Sequence, residues 1–80
     1  MEIKVLGVGC ARCHETERRV MNALAQTGIA ADVCKVTDMK EIMTYGVMGM
    51  PAVVINGKVK CYGKIPTVEE VKQWLQEEKT

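Results

Sequence analysis

Two residues separate Cys10 from Cys13, just after the apolar run Ile3-Lys4-Val5-Leu6-Gly7-Val8 and at the start of a helical pattern. A thiol where a strand gives way to a helix meets unpaired backbone N–H groups and the positive end of the helix dipole. Both favour thiolate over thiol. The thiolate is the nucleophile of disulfide exchange, and this spacing lets the second sulfur reach the first and close a disulfide. As a covalent staple the pair would do little, because so short a loop gives roughly 2 kcal/mol against about 3 for a loop of about 15 residues. The spacing therefore points to a reversible dithiol–disulfide switch.

Several other side chains bear on that chemistry. Arg12, between the cysteines, adds positive charge that favours thiolate, less so if its guanidinium points into water. His14 is the single histidine and a candidate proton shuttle or metal ligand; its plainer reading is a surface helix position. Two thiolates also suit Cu(I) or Zn, so a soft-metal module using the same pair is the alternative function. Zinc would need a further ligand such as His14. A partner-binding module whose disulfide only reports redox state is a third reading. Among the six methionines, Met21, Met39 and Met43 fall in helical segments and read as core filler. Met48 and Met50 read as apolar substrate-contact surface. Lys58 and Lys60 read as a solvated face protecting an edge strand.

The positioning elements follow from periodicity and punctuation. A helix is expected over 11–27, with Val20, Met21, Leu24 and Ala25 forming its apolar stripe and Gly28 ending it. A strand covers roughly 30–36. Asp38 with Glu41 forms a capping-box pattern for a short helix over Ile42 and Met43, stopped by Gly46. Gly49-Met50-Pro51 then leads into Ala52-Val53-Val54-Ile55, and Asn56-Gly57 is a strong hairpin signal returning the chain through Lys58–Tyr62. Thr67 with Glu70 opens a last helix whose Val71, Trp74 and Leu75 share one face. Two strands joined by a helix should be parallel with a right-handed crossover, and the hairpin strands antiparallel. The expected fold class is α/β: a four-stranded mixed sheet in the order β-α-β-α-β-β-α, with helices on both faces, as one domain over 1–80.

Composition narrows the classes. Eleven basic against ten acidic residues, with one tryptophan, two tyrosines and no phenylalanine, give no basic or stacking surface for nucleic acid. No apolar run approaches the ~20 residues of a membrane span. Met1-Glu2-Ile3-Lys4 enters a charged strand rather than a leader peptide, so a cytoplasmic location is expected, where cysteines are redox-active or bind metal. No cofactor is expected.

Taken together, the Cys10-Ala11-Arg12-Cys13 helix start and the later Gly-Met-Pro-Ala-Val-Val-Ile-Asn-Gly segment (49–57) resemble the thioredoxin fold over nearly the whole chain. The chain looks like the small bacterial and archaeal thioredoxin-like, glutaredoxin-sized redox-active disulfide proteins. That resemblance implies a thiol–disulfide oxidoreductase in which Cys10 attacks and Cys13 resolves. It also implies a cis-proline at Pro51 facing the disulfide, with the Met50 backbone pairing with an extended substrate. Substrate contact is thereby expected at Met50, Pro51 and Arg12. The implied partners are a disulfide-containing protein or small molecule and a reductase or other dithiol electron donor. With the family's strand order, Cys34 and Cys61 lie on opposite edges, ~14 Å apart at ~4.8 Å per strand, beyond the ~7 Å reach of a disulfide. Both read as structural. Gly9, Ala11-Arg12 and Gly63-Lys64-Ile65-Pro66 match neither the thioredoxin nor the glutaredoxin pattern, which leaves the electron donor open.

Overall fold

Asn56 and Gly57 both take left-handed backbone, with φ of 52° and 82°. A type I′ turn requires that pair of angles, and its twist suits the strands on either side. In the computed structural model, which describes residues 1–8 and 11–79, the turn joins β3 (Ala52–Ile55) to β4 (Lys58–Tyr62). Before them run β1 (Glu2–Leu6), α1 (Ala11–Thr27), β2 (Asp32–Val36) and α2 (Met39–Thr44); α3 (Val68–Lys79) follows. The strands lie in the order β2-β1-β3-β4. β1 and β2 are parallel, and the other two pairings are antiparallel. The expected mixed sheet and element order are what the chain adopts.

Alternation along the strands feeds two cores. Ile3, Val5, Val53 and Ile55 pack with Val20, Ala23, Val71 and Leu75 of α1 and α3. On the opposite face, Leu6, Val36, Ala52 and Val54 pack with Ile42 of α2. All four residues of β3 are buried, so this strand serves both cores.

Helix ends follow their caps. Thr67 and Glu70 exchange reciprocal bonds, each backbone N–H donating to the other's side chain at 3.1 Å. Asp38 caps α2 by accepting from Lys40 N at 2.9 Å. Gly28 N–H closes α1 onto the Leu24 carbonyl at 2.9 Å.

Three expectations are corrected. The buried stripe of α1 is Cys13, Thr16, Val20 and Ala23, while Met21 is 52% exposed and Ala25 also faces solvent. Small Ala23 and hydrogen-bonded Thr16 let the helix sit close to the sheet with Met21 outside. Met39 and Met43 are likewise exposed rather than core filler, because six-residue α2 buries only Ile42. Finally, a register shift at Val53/Val54 sets Val59 opposite Val54 and Cys61 opposite Val53, leaving Lys60 as the extra residue. The bulge thus puts Val59 and Cys61 on different faces. Lys60, far from solvated, is only 15% exposed in its side chain and lies 2.9 Å from Glu78.

Candidate functional site

The site forms where β1 runs out. Gly7 N–H donates to the Val36 carbonyl at 3.0 Å, carrying the β1–β2 ladder one residue past Leu6. Directly against Gly7 sits Cys13, almost wholly buried in the first turn of α1. A Cβ added to Gly7 would overlap the Cys13 sulfur and come within 3.1 Å of its Cβ. Glycine at this position makes the space that lets the thiol enter. Gly7 was not singled out in the sequence; a glycine at the last turn of a strand leading into Cys-x-x-Cys is the available signal.

The first turn of α1 is fixed and electrostatically open to an anion. Thr16, fully buried, donates its hydroxyl to the Arg12 carbonyl at 2.9 Å. The first turn carries no acidic residue, so nothing there opposes the dipole. Cys10, the candidate nucleophile, lies outside the described residues.

A second wall comes from the β3 entry and the β4 exit. The Met50–Pro51 peptide is cis, Pro51 is fully buried and Met50 half-buried. Leu6 pairs with Ala52, which sets Pro51 at the same sheet end as Gly7. The Gly63 N–H donates to the Pro51 carbonyl at 3.0 Å. In turn, the Gly63 carbonyl accepts from the Arg12 guanidinium at 3.4 Å. Gly49 approaches Gly63 so closely that a Cβ on it would stand 3.1 Å from the Gly63 Cα. Arg12, Met50 and Pro51 are therefore brought together around Gly63. Val8, Met48 and Tyr62 leave exposed apolar surface on the neighbouring segments.

Other candidates fall elsewhere. His14 lies 3.4 Å from the Lys35 ammonium through Nδ1, and Lys35 also meets Glu17 at 3.7 Å. Cys61 is buried, and desolvation pushes its thiol pKa up, which keeps it protonated and unreactive. Cys34 is exposed on edge strand β2, against the structural role expected for it. Strands β1 and β3 separate it from Cys61. Among the described residues, no group of three or more His, Cys, Asp or Glu side chains is placed to hold a metal. No helix among them is long and apolar enough to cross a membrane.

With this geometry in place, comparison with known proteins is direct. Residues 1–76 match the thioredoxin-domain family. The chain belongs to the thioredoxin family. A thioredoxin of Methanocaldococcus jannaschii is 39% identical over 74 residues, covering 92% of this chain and 85% of the relative. A thioredoxin of Methanothermobacter thermautotrophicus is 32% identical over 75 residues, covering 94% and 97% respectively. At the general level this thioredoxin-family chain is a thiol–disulfide oxidoreductase.

Proposed function

We propose that the chain reduces substrate disulfides through Cys10 and Cys13, with Cys10 as nucleophile and Cys13 as the resolving thiol. The Cys10 thiolate attacks one sulfur of the substrate disulfide. That bond breaks, the distal substrate sulfur leaves as thiolate, and a mixed disulfide forms. Cys13, as thiolate, then attacks the Cys10 sulfur and releases the second substrate thiolate, which takes up a proton from solvent. The Cys10–Cys13 disulfide is returned to dithiol by a reductase or another dithiol donor in a reducing compartment.

The observation that carries this assignment is the burial of Cys13 against Gly7 in the first helical turn. A thiol held there is shielded from outside disulfides yet is separated from its partner by only two residues, which suits resolution rather than attack. The helix dipole contributes about 0.3–1 kcal/mol towards thiolate, with no first-turn carboxylate to offset it. In the same reading, the Met50 backbone beside Pro51 forms the strip along which an extended substrate lies. Arg12 closes one side of it through Gly63.

The test is insulin reduction with a dithiol supply, comparing native protein with C10S and C13S. Loss of turnover in C10S, and a trapped mixed disulfide on Cys10 in C13S, are the expected results. Full activity in C10S would overturn the assignment.

A further inference from the structure

Four of the six methionines, Met39, Met43, Met48 and Met50, fall within twelve residues; the proposed substrate strip uses the Met50 backbone, and the dithiol chemistry gives the four thioethers no role. Met39 and Met43 are four apart on α2, so their thioethers share a face. After α2, Gly46 turns the chain with a φ of 73°, and the segment 47–50 returns along that face. The two segments enclose a cavity of about 150 Å³ lined by all four methionines over Ile42 and Val47. The exposures of Met39, Met43 and Met48, 51%, 71% and 88%, exclude a packing role for these side chains.

We propose that this cavity binds a soft monovalent cation, Cu(I) or Ag(I), through the thioethers of Met39, Met43 and Met48, with Met50 as the fourth wall. Thioethers are neutral, soft donors that select Cu(I) over hard cations. Among the described residues, no carboxylate, imidazole or thiol side chain lines the cavity, so the side-chain ligands typical of Zn, Mg and Ca sites are not supplied by them. Unbranched methionine chains with three rotatable bonds can converge on one ion without moving the backbone. The space is several times the ~30 Å³ of one water, and Ile42 and Val47 give it an apolar floor. This site is proposed to use none of the cysteines; it shares Met50 with the proposed substrate strip but rests on the thioethers rather than on the disulfide reading.

The test titrates the full chain, ¹³C-labelled at the methionine methyls, with Ag(I), both as native protein and as C10S/C34S. Each methyl is followed separately, so uptake by thiols does not mask the readout. The methyls of Met39, Met43 and Met48 are expected to shift together and saturate with one bound ion. Those of Met1 and of Met21, exposed on α1 and outside the cavity, stay in place. The M43L/M48L variant keeps apolar volume but loses two donors. It is expected to bind about tenfold or more weakly, a loss of at least ~1.4 kcal/mol. Met21 shifting in parallel, no methyl shifting, or unchanged affinity in M43L/M48L would each overturn the proposal.

Discussion

Replacing Gly7 with alanine puts one methyl group where the Cys13 sulfur now lies. The overlap requires something to shift, so either Cys13 leaves its rotamer or the first turn of α1 moves off β1. An off-rotamer side chain costs about 0.5–1.5 kcal/mol, and overpacking a well-filled interior about 1–3 kcal/mol. For an 80-residue chain, the unfolding entropy is of order 170 cal/mol/K, so each kcal/mol lowers Tm by about 6 °C. G7A should therefore melt roughly 3–18 °C below the native protein. Resolution should suffer more than stability suggests, because a displacement of ~1 Å at a reacting atom can cost about 10²-fold in rate. Mixed disulfide should accumulate when G7A turns over a peptide disulfide, read by quenched mass spectrometry. A double-mutant cycle isolates the contact: in a C13A background the sulfur is gone, and G7A should cost measurably less. If G7A melts within a degree of native protein and resolves at the native rate, the packing argument is wrong. Equal penalties with and without the Cys13 sulfur would have the same consequence.

Two further outcomes follow from the charges and thiols. Lys60 and then Lys58 hold the Glu78 carboxyl below the usual carboxylate range. Its depressed folded value means the stabilisation is present above the unfolded pKa of about 4.3 and is lost as pH falls through the folded value. Denaturant midpoints from pH 7 to 3 should accordingly fall less steeply in E78Q than in native protein; parallel curves would refute this coupling. For the thiols, iodoacetamide mapped by mass spectrometry should label Cys34 well before Cys61 in folded protein, and equal rates would contradict the burial of Cys61.

The parts of the molecule that sequence reveals are those governed by local chemistry. Asn56-Gly57 needs only its own backbone angles to reverse the chain, and Thr67 with Glu70 needs only its own first turn to cap α3. The helix start at Ala11 and the parallel pairing of β1 with β2 across their crossover helix are equally direct, whereas the full strand order is legible only through the family resemblance. What escapes is set by neighbours distant in sequence. Whether Met21 or Ala23 faces inward depends on how closely α1 can approach the sheet. One extra residue at Lys60 inverts the period-two pattern and moves Val59 to the face opposite Cys61. Gly7 reads as one more small residue until the Cys13 sulfur is seen beside it. Arg12 and Pro51 are linked only through Gly63, which carries no functional group of its own.

β3 lies between β1 and β4 and supplies residues to both cores. A chain leaving the ribosome can assemble β1, α1 and β2 early, as a crossover unit of nearby segments. The inner edge of β1 then stays bare until Ala52–Ile55 emerges, since Ala52, the partner of Leu6, lies 46 residues further along the chain. Through that interval the growing chain exposes unpaired backbone and apolar side chains that α1 alone does not cover, Leu6 and Val36 among them. That state invites pairing with other chains. The same strand that completes the sheet therefore also ends the period in which nascent chains are most open to aggregation.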